Sequence, residues 1–209
     1  MTEPAWLACV REMQAIAQTG LAFATDPFDR GRYEALQALA ARTAAALSDA
    51  PAAGLQALFA AEAGYATPKV DVRGAVFNAR GEILMVRETL DGGRWTLPGG
   101  WADVNLTPIE NIKKEIAEES GFSVRVNKLA AVWDRTRQGH DAAVFATYKL
   151  FFLCEITGGA AAPSLETSEV AFFPEAALPA DLSTNRVLPH QIARMFAHAR
   201  DPGLPTDFE

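Results

Sequence analysis

The sequence predicts an α+β protein: an α/β/α sandwich around a mixed sheet, preceded by a small all-α extension. Three observations carry this. Residues 1–66 are rich in alanine, contain no lysine and repeat their apolar residues at helical spacing. From Val70 the pattern changes to period-two alternation with β-branched residues. After that switch the order is strands, one helix, strands, one helix.

Trp6, Val10, Met13 and Ala17 predict a first helix from about Pro4 to Leu21, broken at Asp26-Pro27. A second fits Arg32 to Ser48, with Tyr33, Leu36, Leu39 and Leu47 as its apolar members. Pro51 opens a short third helix carrying Leu55, Leu58 and Phe59, which Gly64 stops. So small a unit is marginal alone. It either packs on the rest of the chain or makes a dimer interface, and the second is expected. The predicted domains are therefore 1–66 (helical, dimerising) and 67–209, the strand-bearing part.

Val70, Val72 and Val76 mark the first strand. Asn78 to Gly81 form a turn, and Ile83 to Arg87 a second strand. Asp91-Gly92-Gly93 turns into a short strand, Arg94 to Leu97. Ser123 to Trp133 and Thr147 to Ile156 are strands, Gly158-Gly159 begins a loop, and Glu169 to Phe173 is the last strand. A terminal helix covers about His190 to Ala199, with Ile192, Met195 and Phe196 buried and a loose polar tail after Asp201.

Between the strands lies the stretch that carries chemistry, Gly99 to Phe122. Thr107, Pro108 and Glu110 make a capping box with proline at the first helical position. Gly121 stands where a left-handed C-terminal cap belongs. Ile109, Ile112 and Ile116 share one face, predicted to be buried. Glu115, Glu118 and Glu119, at i, i+3 and i+4, share an adjoining face. Three carboxylates together repel and raise one another's pKa. A hard divalent cation such as Mg²⁺ relieves this and takes oxygen ligands. A lone E-x-x-E-E is more often a solvated acidic face. The preceding Pro98-Gly99-Gly100 turn and the isoleucine stripe favour a metal site.

The remaining composition narrows the field. The 209 residues are 49% hydrophobic and 22% charged, which fits a soluble globular protein. The N-terminus lacks a basic region followed by an apolar one, and no run spans a bilayer. The expectation is a cytoplasmic protein without a membrane partner. Cys9 and Cys154 read as reduced core residues. The net charge is −7 and no basic run is present, so DNA is not an expected partner.

Gly100 to Phe122 resembles the Nudix box, G-x5-E-x7-R-E-U-x-E-E-x-G-U with U aliphatic. Gly100, Glu115, Ile116, Glu118, Glu119 and Gly121 match, and Phe122 stands at the last aliphatic place. Trp95 to Gly99 resembles the family's approach strand. Two positions depart: Leu106 replaces the early glutamate and Lys114 the arginine. Lysine cannot supply arginine's bidentate fork, but Lys114 lies four residues after Glu110 and four before Glu118, and both pairings are favourable. The helical extension, the Gly-Gly-Trp-Ala-Asp turn, Ala15 to Gly20 and Tyr148 to Cys154 resemble a subgroup described as ADP-ribose or CDP-choline pyrophosphatases.

The resemblance implies Mg²⁺-dependent hydrolysis, with Mn²⁺ as an alternative ion, of a nucleoside diphosphate linked to another group, by a homodimer joined through the N-terminal helices. Its metal ligands would be Glu115, Glu118, Glu119 and the carbonyl of Gly99. Catalytic candidates are Glu119, Glu118 and Glu166, with Glu169 the rival of Glu166; the sequence does not separate ligand from base. Asp103 could bind metal through water or cap its turn. Substrate-binding candidates are Arg87, Arg135 and Trp101, beside Arg94 and Trp133, each weighed against an ordinary surface charge or core packing. His140 reads as a solvated loop residue. The competing reading is a catalytically weak or inactive nucleotide-binding sensor that keeps the fold.

Overall fold

The computed structural model describes residues 4–209. They form two compact units: 4–68 with Ala142–Ala146, and Lys69–Asp141 with Thr147–Glu209. The short piece 142–146, which groups with the helices, is a feature no sequence pattern announces.

In the first unit α1 spans Ala5–Phe23, α2 Pro27–Ala46 and α3 Ala52–Ala60. Asp26-Pro27 starts α2: the Asp26 carboxylate accepts the N–H groups of Phe28 and Asp29, and Pro27 takes the first helical position. The core is Val10, Ala40, Ala41, Ala44, Leu55 and Phe59. Alanines, not leucines, face inward on α2; Leu39 and Leu47 are exposed, as is Leu58 on α3. Gln14 and Gln18 of α1 donate to the carbonyls of Phe59, Ala63 and Gly64, which fixes the end of α3. Arg11 holds the Ala143 carbonyl at 2.8 and 2.6 Å. Cys9, expected in the core, is exposed, and only Cys154 is buried. Among the described residues no helix is long and apolar enough to cross a membrane.

The second unit contains β1 (Lys69–Phe77), β2 (Ile83–Glu88), β3 (Arg94–Thr96), α4 (Pro108–Ser120), β4 (Phe122–Asp134), β5 (Thr147–Gly159), β6 (Thr167–Phe173) and α5 (Pro189–Arg200). The sheet runs β3-β2-β1-β5-β4, with β6 also paired to β2. It is mixed: β1 and β5 are parallel from Lys69–Thr147 to Phe77–Glu155, and the other pairs are antiparallel. Gly158 and Gly159 extend β5 by pairing with Ser123 and Phe122.

Alternation in the strands gives each face its own helix. Val72, Val76, Leu84, Phe152 and Cys154 pack with Ile112 and Ile116 of α4. Ala75, Ile83, Met85, Phe151 and Leu153 pack with Ile192, Met195 and Phe196 of α5. The sheet is thus enclosed between the two helices, and each fully buried isoleucine contributes about 1.5–3 kcal/mol. Ile109 departs from the expected stripe and is half exposed, because the buried place in the first turn of α4 goes to Asn111. The tail is not loose. Asp207 donates its N–H to Ala130 O and accepts from Val132 N, and its carboxylate gathers Arg194 and His198. Thr206 binds the Leu129 carbonyl at 2.7 Å.

Beneath the sheet's centre lies a buried charge cluster. Asp71 accepts from Arg73 Nε at 3.0 Å, Arg73 Nη2 at 2.7 Å and Lys149 Nζ at 2.6 Å. Burial works to raise the Asp71 pKa, but the two cations outweigh it and hold the carboxyl at about 2. Burial pushes Lys149 down to about 8 against the pull of Asp71. Asp71→Asn leaves two buried cations without a counter-charge, and the expected loss is about 3–5 kcal/mol of stability in urea denaturation at neutral pH. An unchanged midpoint and slope would show that the cluster does not hold the sheet. Because the folded pKa is depressed, the Asp71 contribution is complete above its unfolded value and fades as pH falls toward about 2.

Candidate active site

The site begins with a turn that has no side chains to spare. Pro98, Gly99 and Gly100 run beside β1: Val72 N donates to Gly100 O and Gly74 N to Pro98 O, both at 2.8 Å, and Ala102 N donates to Val70 O at 2.9 Å. A Cβ on Gly99 would meet Val72 O at 2.0 Å, and φ there is +140°. A Cβ on Gly100 would meet Glu115 Oε2 at 2.9 Å. The two glycines let the turn lie flush between β1 and the glutamates of α4.

Helix α4 forms as predicted. The Thr107–Glu110 capping box is complete, Pro108 opens the helix, and Gly121 caps it at φ +76°. Asn111, buried, accepts from Asp103 N at 2.7 Å and donates to the carbonyls of Asp103, Leu106 and Thr107. It anchors the loop that bears Leu106. At the other end Glu119 is 4% exposed, and its Oε2 accepts the Gly99 N–H at 2.8 Å.

A cleft of about 720 Å³ opens over this turn. Glu115, Glu118, Glu119, Glu166, Gly99, Gly100 and Trp101 all line it, as do Asp103 and Lys114. Glu166 is placed by its loop: Ser164 Oγ accepts the N–H groups of Glu166 and Thr167, and the Glu166 carbonyl accepts Thr89 N at 2.8 Å. Trp101 stands 57% exposed at the rim, whereas Trp133 is a core residue packed on Phe151.

Two predicted contacts are not brought to the cleft. Arg87 falls on the other face of β2, where it donates to Glu169 at 2.5 Å and Gly93 O at 2.6 Å and lies near Asp181. That pairing also takes Glu169 away from the site. Arg135 turns to the carbonyl of Asp141 and to Asn185. His140 is buried rather than solvated, with Nδ1 at 2.8 Å from Thr184 O, and burial pushes its pKa down to about 4.

The cleft's electrostatics are dominated by buried acids. Burial raises Glu119 to about 8; Arg73 and the Gly99 N–H oppose this, while Glu88 and Glu115 add to it. Burial also raises Glu115 and Glu88. Mutual repulsion is therefore the smaller cause of the shifts. Lys114 acts as an internal counter-ion, 3.0 Å from Glu118, 3.1 Å from Asp103 and 3.9 Å from Glu115. The expected partner Glu110 is committed to the capping box. Among the described residues no three His, Cys, Asp or Glu side chains converge as a ready-made metal cage. The donor set nonetheless fits a hard divalent cation. It is all oxygen, its carboxylates are held at the cost of desolvation, and Glu88 Oε1 is buried without a hydrogen-bond partner.

Sequence reasoning missed Glu88, Arg186 and Asn111. Glu88 had a signal: it continues the Leu84, Val86 alternation onto the inner face of β2. Arg186 had none, since it lies in a loop and reaches the cleft only through the fold.

A mixed sheet with a capped, glutamate-bearing helix over a glycine turn defines a hydrolase class, and the comparisons agree. Residues 67–192 match the NUDIX domain, and residues 4–59 match a domain described as UDP-X-like, N-terminal oligomerisation domain. A Bacillus subtilis (strain 168) protein named "Putative ADP-ribose pyrophosphatase YjhB" is 43% identical over 204 residues, covering 98% of this chain and 97% of that protein. The crystal structure of a UDP-X diphosphatase is 32% identical, covers all of both chains and superposes with a TM-score of 0.62. That of an ADP-ribose pyrophosphatase from Streptococcus suis 89-1591 is 34% identical over 68% of this chain and all of the other, also with a TM-score of 0.62. The chain belongs to the Nudix family and is a Nudix hydrolase.

Gly99→Ala should lower stability by about 1–3 kcal/mol from backbone strain alone, with further loss from the clash at Val72 O. Thermal melts measure it, and a melting temperature equal to that of the original protein would contradict the wedged turn.

Proposed function

We propose that this protein hydrolyses the pyrophosphate linkage of a nucleoside diphosphate joined to a second moiety, releasing a mononucleotide. One observation carries the reading: Glu115, Glu118, Glu119 and Glu166 line one cleft with the Gly99-Gly100 turn. The full-length likeness to proteins named for ADP-ribose and UDP-X supports this substrate class.

Glu115, Glu118 and Glu119, with the carbonyl of Gly99, would hold Mg²⁺. The bound ion would neutralise phosphate charge and acidify a water. Glu166, exposed on its loop, takes the proton from the attacking water. Trp101 offers an exposed ring face at the rim for the nucleobase. Lys114 keeps Glu118 and Asp103 apart from each other's charge and orients both. Glu119 positions the Gly99 turn through its hydrogen bond. One P–O–P bond breaks as water adds, and the products are a nucleoside monophosphate and the phosphorylated second moiety.

The helical unit supports a homodimer. Its matched domain is described as an oligomerisation domain, and Ile16, Phe23, Phe28, Leu39 and Leu47 are exposed on it. Sizing with light scattering should give twice the chain mass at micromolar concentration. A monomer there would remove this part of the reading.

Incubation with Mg²⁺ and a panel of ADP-ribose, CDP-choline, UDP-glucose, ADP-glucose and NADH should release mononucleotide from at least one member. Glu119→Gln, which keeps the acceptor for Gly99 N–H, should reduce that rate roughly 10²-fold or more while the melting curve remains cooperative. Binding without turnover of every member, with Mn²⁺ as well, would favour a nucleotide sensor over an enzyme.

A further inference from the structure

Glu88 is an acid of the cleft that lies outside the Nudix box and on the sheet. It ends β2, on the strand face that Leu84 directs toward Ile112 and Ile116 of α4. A bulge lies beside it: Arg87 pairs with Glu169, but Glu88 pairs with Thr167, and the register shifts between them. The extra residue, Ser168, is on β6, so β2 keeps its alternation and Glu88 stays on the face of Leu84. Thr167 in turn donates its hydroxyl to the Glu119 carbonyl at 2.6 Å, tying the bulge to the last turn of α4. Glu88 thus lines the same cleft as Glu115, Glu118, Glu119 and Glu166, although it comes from the sheet and not from α4 or the Glu166 loop.

The residue is 3% exposed. Its Oε2 faces Arg186 Nη2 at 3.2 Å, a partly buried side chain from the loop before α5. Its Oε1 is buried and has no hydrogen-bond partner. An ionised oxygen left in that condition costs more than a neutral one. Glu88 is also near enough to Glu119 and Glu166 for like-charge repulsion. Arg186 and, at longer range, Arg73 offset part of the charge, but Oε1 itself is left without a hydrogen-bond donor.

We propose that Glu88 is a further cation-facing carboxylate of this site, contributed by β2 from outside the Nudix box, and that Arg186 is the positioning residue that fixes it with one oxygen turned to a divalent ion. The inference rests on the reading of the α4 glutamates as a cation site. It gives the cleft a second wall: α4 supplies acids from one side and the end of β2 from the other. An ion between them would join the helix to the bulged strand pair.

The test titrates the full-length protein with Mn²⁺, by calorimetry for affinity and by electron paramagnetic resonance for the number of ions bound. Glu88→Gln preserves shape and the acceptor for Arg186 while removing the charge. It should weaken Mn²⁺ binding at least tenfold or remove one bound ion. Without metal its melting temperature should be equal to or above that of the original protein. Arg186→Gln should weaken binding less, and Glu88→Asp should recover part of the loss. If Glu88 only anchors the Arg186 loop, Glu88→Gln will melt lower without metal and bind Mn²⁺ as tightly as before, which overturns the proposal. Glu119→Gln serves as the control. If it weakens Mn²⁺ binding and Glu88→Gln does not, this inference alone fails; if neither does, the cation-site reading of the cleft fails with it.

Discussion

Everything in the catalytic unit depends on a backbone turn lying against a helix with nothing between them. Gly99 and Gly100 occupy a gap in which a single methyl group would strike either Val72 O or a glutamate oxygen. That closeness lets the Gly99 N–H reach Glu119, and it gives the turn its three hydrogen bonds to β1. The capping box, the left-handed Gly121 and the buried Ile112 and Ile116 all fix where α4 begins, ends and rests. They hold one distance, from turn to helix, and that distance forms the floor of the cleft.

The same closeness explains the electrostatics. Acids packed against backbone and sheet lose water faster than they gain counter-charge, so burial dominates their shifts. Besides Arg186 on Glu88, the chain answers with two cations of different kinds. Arg73, fully buried and tied to Asp71 and to the Leu97 carbonyl, supplies a fixed positive charge behind Glu119. Lys114, flexible and partly exposed, supplies a displaceable one among Glu115, Glu118 and Asp103. An arginine at that position would make a more rigid, forked contact. Lysine offers a point charge that can yield to another cation.

What the sequence disclosed follows from the range of the physics involved. The capping box, the αL glycine, strand alternation and the i, i+3, i+4 acids are local, and each stands where it is read. Alanine misled: on α2 the small residues make the core while Leu39 faces outward, because close helix contacts reward small volume as much as hydrophobicity. Arg87 and Glu88 show the limit more sharply. They are neighbours of opposite charge, and arginine is the expected phosphate partner. Strand alternation sends them to opposite faces, and the acid reaches the cleft. Arg186 could not be found at all, since a loop residue's partner is decided by chain packing far from it in sequence.

The ordered C-terminal segment has a bearing on how this chain can be handled. Strand β4 closes one side of the sheet, and residues 206–207 cover its outer rim, Asp207 with main-chain hydrogen bonds and Thr206 with its hydroxyl, while Arg194 and His198 clasp Asp207 from α5. An uncovered rim would be a template for pairing with another sheet. The segment therefore acts as a selvedge that keeps the sheet from growing sideways. Purification tags and fluorescent fusions joined after Glu209 would pull on that seam, whereas the exposed turn at Asn78 to Gly81 offers an attachment point that leaves it closed.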